Sequence, residues 1–367
     1  MLYGNWGGNN AARLEKLIRE KAFADNYAVF DWDFTCIFFD VQDSFFLYQI
    51  EHLGFCLTPE AFSAAIRTDI PQDVPLKGWF NGQGQQLTAG MLSEDLDARY
   101  RFLYGMYAGL GGSAPLEEVC ATAEYRDFKT KLLTLTFAAV SVCTTDISQS
   151  LSAGMTAMEL NTAVEKAIDA ALTDEIAEYT AVSPAELAGA AGPVSVLYRK
   201  GIRIQPEIQQ LFRCLQDNGI EPYICSASQE DCVRVFACYP KYGYGLKPQN
   251  VFGRRRKYDA AGKFTSEKDF SIPQTWKEGK AEAIKTLIAP QHGGKAPILI
   301  AGDSDGDFYM MDAFKDEAVL LIFDRNPSPQ EKIYRFVRQG IEQHGNPAAS
   351  IIVQTRDERT GVFVRRV

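Results

Sequence analysis

Histidine is almost absent from this chain. Only His52, His292 and His344 occur in 367 residues, none at a spacing that would let two share a metal ion, and no role falls to them. Cysteine occurs eight times (Cys36, Cys56, Cys120, Cys143, Cys214, Cys225, Cys232, Cys238), but without metal-finger spacing and too thinly for a disulfide scaffold. Most sit in apolar surroundings and read as buried free thiols, which favours a reducing, cytoplasmic setting. No run approaches the roughly 18 consecutive apolar residues of a membrane span, so no membrane partner is expected. Met1-Leu2-Tyr3-Gly4-Asn5-Trp6 shows no basic segment followed by an apolar one; an exported protein whose leader has been removed stays open. Positive charge is in deficit, 38 Lys and Arg against 47 Asp and Glu, for a net −9. A nucleic-acid binder would show a basic face, so no nucleic-acid partner is expected. The one basic run, Arg254-Arg255-Arg256-Lys257, is too short to reverse this and is expected at the exposed edge of a hairpin, where charge discourages edge pairing.

What is present suffices for a large core: 46% hydrophobic and 23% charged residues. The length allows two domains, or one domain with a large insertion. Residues 9–25 carry a helical pattern (Leu14, Leu17, Ile18, Ala22), and a short strand then runs to Asp31. From 44 to 195 helical spacing dominates without strand alternation, clearest over 97–110 and 156–172. Thr156 and Glu159 form a capping box. After a turn-rich stretch (Ser183-Pro184, Gly189, Gly192-Pro193) the pattern alternates. It runs helix 206–218, strand 220–225, helix 229–238, hairpin 251–264, helix 279–289, strand 297–302, helix 306–314, strand 318–323 and helix 328–340. A β-prone tail closes the chain. Alternation of this kind predicts an α/β fold, a doubly wound parallel sheet. The all-helical block reads as a cap inserted into it, giving core 1–43, cap 44–195 and core 196–367. There is no internal repeat or low-complexity segment.

Two of the apolar runs spill acidic residues at their ends. Tyr27-Ala28-Val29-Phe30 leads into Asp31-Trp32-Asp33-Phe34-Thr35, and Pro297-Ile298-Leu299-Ile300-Ala301 leads into Gly302-Asp303-Ser304-Asp305-Gly306-Asp307. Ligands of an open parallel sheet sit at the carboxyl ends of its strands. Carboxylates converging there repel one another, and a hard divalent cation with oxygen ligands is the usual remedy. Ser226 ends the apolar strand Tyr223-Ile224-Cys225, and Lys280 opens a helix in Glu278-Gly279-Lys280-Ala281.

In order, type and context these four pieces resemble the haloacid dehalogenase-like superfamily, in particular its phosphatases with a helical cap inserted after the first motif. The resemblance covers 24–43 and 203–325 with the cap between, and it is closest to the phosphoserine and phosphorylcholine phosphatase groups. It implies that Asp31 is the nucleophile, forming an aspartyl-phosphate. Asp33 then protonates the leaving alkoxide and deprotonates the hydrolytic water. It implies magnesium (Mg2+) on the Asp31 carboxylate, the Asp33 main-chain carbonyl and the Asp303 carboxylate, with Asp307 as the supporting acidic position. Ser226 with its neighbour Ala227, and Lys280, are implied as phosphoryl contacts, Lys280 also compensating the carboxylates. Dehalogenases of this superfamily lack the second aspartate, so Asp33 favours phosphate ester chemistry. Asp40, nine residues past the nucleophile, corresponds to the acidic position that meets a substrate's cationic head in the two groups named.

Other readings stand beside these. Ser228 competes with Ser226, and Lys277 with Lys280. Asp40 reads equally as a loop carboxylate. Asp305 is expected to face solvent, and no glutamate follows to make a calcium loop of Asp303–Asp307. Tyr100, Tyr104 and Tyr107 read first as helix core and second as a cage for a quaternary ammonium group. The expected function is magnesium-dependent hydrolysis of a small soluble phosphate ester, a phosphorylated amino alcohol or amino acid. A phosphotransferase with the same site and a non-catalytic phosphate-ligand binder are the alternatives. Oligomeric state is not legible.

Overall fold

The computed structural model describes residues 1–187 and 189–365. The chain divides into two compact units, one of Met1–Val41, Ile202–Arg255 and Asp269–Val367, the other of Gln42–Gly201 and Arg256–Lys268. Among the described residues no helix is long and apolar enough to cross a membrane.

The first unit is α/β. Seven strands of one sheet run in the spatial order Val251–Tyr258 (its last part in the other unit), Ile220–Gln229, Asn26–Phe30, Leu299–Gly302, Val319–Asp324, Ile351–Arg356, Phe363–Val364. All pair parallel except the last, which is antiparallel. The central strands are buried almost throughout, as strands covered on both faces must be. The strand that comes first in sequence lies in the middle. Its Phe30 pairs with Ile224 on one side and Ala301 on the other. The carboxyl ends of three strands therefore come level, and whatever follows Phe30, Ile224 and Ala301 is delivered to one edge.

Several element ends depart from the pattern read in sequence. The strand expected to stop at Cys225 continues to Gln229, because Gln229 pairs with Arg254 across an irregularity in the ladder that spans Ser226 to Ser228. The helix expected over 279–289 is α-helical only through Glu278–Ala283, widens to a π turn at Ile284–Ile288 and tightens at Ala289–His292. Pro290 explains the break, since it has no N–H and its ring crowds the carbonyl four residues back. The helix expected from 328 begins at Tyr334, after a stretch of turns that contains Pro327 and Pro329.

The inserted unit has its own core. Phe62 stacks on Tyr100 at 4.0 Å, Phe128 and Phe55 close around them, and the Tyr100 hydroxyl donates to the Leu57 carbonyl at 2.8 Å. The tyrosine stripe is thus helix core: Tyr104 and Tyr107 pack against the same cluster, and the helix Ala89–Met106 ends before Tyr107. The expectation of an all-helical cap is corrected. Two hairpins belong to it, Pro75–Phe80 with Gln86–Thr88 and Ala177–Val182 with Ser195–Lys200. They lie at the surface and bury at most one side chain per strand, so they leave no apolar alternation to read. The unit accordingly reaches Gly201, beyond the expected 195, and takes in residues 256–268, which were expected in the core.

The basic run is also not an exposed edge. Arg255 pairs with Glu230 at 2.9 Å, and Arg256 is buried with its guanidinium donating to the Ser266 carbonyl at 2.7 Å; only Lys257 is exposed. Threonine caps recur in the inserted unit: Thr58, Thr88, Thr122 and Thr156 each accept an N–H from the first turn of their helix, and at Thr156 the reciprocal bond from Glu159 completes the box. Thr156→Ala should destabilise this unit by about 1 kcal/mol, read as a lower urea midpoint with the fold retained.

Candidate active site

Asp31 is held by its own backbone, whose N–H donates to the Ala301 carbonyl at 2.9 Å and extends the ladder by one residue. The chain then turns on Trp32. Its carbonyl accepts from the N–H groups of Thr35, Cys36 and Ile37, and Phe34 takes a left-handed φ of 56°. Leaving the strand here frees Asp33 from the strict alternation of side chains. Asp33 Oδ1 accepts from the Val41 N–H at 2.7 Å. Its Oδ2 accepts from the Ser228 hydroxyl at 2.7 Å and, at the limit of 3.5 Å, from Ser226.

Two glycines let the opposite wall close. A side chain at Gly279 would meet the Gln274 carbonyl at 1.7 Å, and one at Gly302 would meet the Asp307 side chain at 2.6 Å. With both absent, Lys280 reaches in. Its ammonium donates to Asp31 Oδ1 at 2.5 Å and to Asp307 Oδ1 at 2.6 Å. Asp307 Oδ2 accepts from the Asp303 N–H at 3.0 Å, which folds the acidic loop back on itself. Carboxylate oxygens of Asp31, Asp303 and Asp307 lie within 4.8 Å of one another, all three residues buried. Such an oxygen-only donor set fits a hard divalent cation. The Asp33 carboxylate is not part of it.

The electrostatics agree. Burial pushes the Asp31 carboxyl well above the ordinary range, Asp307 and Asp303 add to this, and Lys280 opposes it. Burial and then Asp40 push Asp33 up, against the Val41 N–H and the Ser228 hydroxyl. Burial and Asp307 raise Asp303, against Arg325. Burial alone would lower Lys280, but Asp307 and Asp31 outweigh it and hold the amine above its ordinary value. Three carboxylates thus face two cations, Lys280 and Arg325, and remain one positive charge short before Asp33 and Asp40 are counted.

A cleft of about 230 Å³ opens on this edge, lined by Asp31, Asp33, Asp40, Ser226, Ala227, Ser228, Lys280 and Asp303 among others. Of the eight residues to which the resemblance gives a role (Asp31, Asp33, Asp40, Ser226, Ala227, Lys280, Asp303 and Asp307), Asp307 alone is absent from this lining, and it is reached through Lys280. Of the rivals, Ser228 stands in the cleft and holds Asp33, whereas Lys277 lies over the Trp276 ring. Asp305 is not free in solvent, since its Oδ1 accepts from the Ile333 N–H at 2.9 Å. Among the described residues no cysteine forms a disulfide; of the eight, Cys36, Cys225 and Cys232 are buried and Cys56 is exposed. A larger cleft at the far, amino end of the strands is lined by Asp25, Glu221, Tyr223 and His292, whose polar groups pair with one another.

Two arginines escaped the sequence reading. Arg325 donates to Asp303 Oδ2 at 2.8 Å. Arg356 is half-buried against the Phe323 ring and donates to the main-chain carbonyls of Phe34, Thr35 and Ile37, the loop that follows Asp31. Burial brings its guanidinium down to about 10, opposed by Asp303 and Cys36. Thr35, read only as part of its motif, donates to Asp303 Oδ1 at 3.3 Å. The available signal was position. Arg325 follows one strand and Arg356 ends the next, on the same carboxyl edge.

Residues 151–312 match the haloacid dehalogenase-like hydrolase family, the class that this sheet order and acidic edge resemble. A phosphorylcholine phosphatase of Pseudomonas aeruginosa is 34% identical over 155 residues, 36% of this chain and 44% of that protein. The chain therefore spans less than half the length of that relative. A solved structure of a conserved, functionally unknown protein from Anaerococcus prevotii DSM 20548 matches with a TM-score of 0.92 at 30% identity, over 99% of this chain and 97% of the other.

Two outcomes follow from this geometry. Because Asp31 and Asp303 titrate high in the folded state, their contribution to stability is full below about pH 4 and is lost as pH rises through their raised values. A divalent cation should offset that loss. The melting temperature with magnesium minus that with chelator should widen from pH 5 to pH 7.5, measured by calorimetry; a constant difference would contradict it. Arg356→Met should remove a donor from three main-chain carbonyls and destabilise the protein by about 3 kcal/mol, with Arg356→Lys restoring only part in chemical denaturation.

Proposed function

We propose that the protein is a magnesium-dependent phosphomonoester hydrolase acting through an aspartyl-phosphate on a small phosphate ester. One observation carries this reading. Asp31, Asp303 and Asp307 converge on Lys280 while Asp33 is held into the same cleft by separate donors. The two aspartates that sequence places two apart thereby sit in different surroundings, as a nucleophile and an acid require.

An Asp31 carboxylate oxygen attacks phosphorus, and the bond to the ester oxygen breaks. Asp33, whose proton is favoured by burial and by Asp40, gives that proton to the departing alkoxide. Asp33 then takes a proton from water, which attacks the phosphorus of the aspartyl-phosphate and releases phosphate and the Asp31 carboxylate. Lys280 and Ser226, with the Ala227 main chain beside it, hold the non-bridging oxygens; Lys280 also favours the ionised form of Asp31 against its neighbours. The Asp31, Asp303 and Asp307 side chains and the Asp33 main-chain carbonyl would hold magnesium. Bound there, it supplies positive charge that lets an anionic nucleophile approach an anionic ester.

The substrate class is a phosphorylated amino alcohol or amino acid. Asp40 lines the cleft, where a carboxylate favours a cationic head. The partial relative named as a phosphorylcholine phosphatase points the same way.

The test is a screen of phosphate esters with magnesium, repeated on single variants. Asp31→Asn should abolish turnover with its melting profile intact, and Asp33→Asn should lower kcat by about 10²- to 10⁴-fold. Near-normal turnover by Asp31→Asn would remove the carboxylate nucleophile from the scheme. Added alcohol acceptors leave phosphate as the product of a hydrolase, whereas a transferase would make a new ester.

A further inference from the structure

Arg325 belongs to none of the motifs that carry the proposed reaction, yet it borders the same cleft. It follows the strand Val319–Asp324 directly, at the edge where Asp31 and Asp303 stand. Two contacts fix its head. Nη1 donates to Asp303 Oδ2 at 2.8 Å, and the guanidinium lies over the Phe34 ring, 3.5 Å from its centre. That ring comes from the residue with a left-handed φ immediately after Asp33, so the platform under the arginine is part of the turn that positions the acid.

These contacts engage one of five N–H donors. The side chain is 39% exposed, against 3% for its partner Asp303. A counter-ion whose only task is to neutralise a buried carboxylate has no need of a planar fork, and a lysine would serve. A guanidinium with its plane held on an aromatic face and its remaining donors uncommitted is suited to the paired oxygens of a phosphoryl group.

We propose that Arg325 is a further anion-binding residue of this site, donating to a non-bridging oxygen of the bound phosphoryl group alongside Lys280. This rests on the phosphate-ester reading above. Because the same guanidinium touches Asp303, loss of Arg325 removes a phosphoryl contact and also frees an oxygen of the acidic cluster. Anion affinity and cation affinity should therefore move in opposite directions on its removal. Anion binding weakens for want of a donor, and cation binding tightens for want of a competing charge.

The experiment is isothermal titration of the whole protein with inorganic phosphate in saturating magnesium, and separately with magnesium alone. Wild type, Arg325→Ala and Arg325→Lys are compared. Arg325→Ala should weaken phosphate binding roughly 10- to 100-fold, the range for a hydrogen bond to a charged group, and should tighten magnesium binding. Arg325→Lys, which keeps the charge without the fork, should fall between. If wild type binds phosphate and both variants match it, Arg325 is no anion ligand and the proposal fails. If Arg325→Ala is poorly folded, Arg325→Lys decides: affinity equal to wild type overturns the fork, and weaker binding supports it. Failure of wild type to bind phosphate at all would defeat the hydrolase reading first, and this inference with it.

Discussion

The contact between the Lys280 ammonium and the carboxylates of Asp31 and Asp307 organises this molecule's candidate site. Carboxylates brought together out of water repel one another and resist ionisation. Burial and mutual repulsion accordingly raise Asp31 and Asp303. A single buried amine shared between two of them opposes that tendency without cancelling it. The residual deficit of positive charge makes the edge a place for a cation first, and for an anionic ligand once that cation is there. Gly279 and Gly302 are conditions of the same contact, since a side chain at either position would collide with the atoms that bring Lys280 and Asp307 into reach.

Parallel pairing supplies the convergence, and the chain after each strand supplies the difference in role. Asp31 stays on the ladder, its N–H donating to the Ala301 carbonyl, whereas Asp33 is carried away by the turn on Trp32 and captured by Val41 and Ser228. That turn is held from beneath by Arg356, which belongs to the sixth strand in spatial order. The carboxyl-terminal part of the fold, far from the motifs in sequence, is in this way a structural component of the site. The inserted unit depends on none of this for its own core, which closes around Phe62, Tyr100 and Phe128 behind a set of threonine caps.

Elements whose signal is local were legible. The capping box at Thr156 and Glu159 is an arrangement of neighbours, and the buried run before Asp31 is a strand by composition alone. Elements whose pattern depends on distant pairing were not. The strand through Ser226–Gln229 is extended because Arg254 lies beside it. The hairpins of the inserted unit expose most of their side chains and so carry no periodicity. Arg255 and Arg256 read as surface charge until Glu230 and the Ser266 carbonyl were brought to them.

By itself the sequence determined an α/β core with acidic residues at two strand ends, and which side chains could do chemistry there, because strand burial and turn residues are properties of a few adjacent positions. Tertiary structure alone decided which of those groups meet, that Ser228 and not only Ser226 reaches Asp33, and that Arg325 and Arg356 belong to the same edge. The physical reason is that charge neutralisation acts over a few ångströms of space, and the chain brings its cations to those carboxylates from positions as far as 249 residues away.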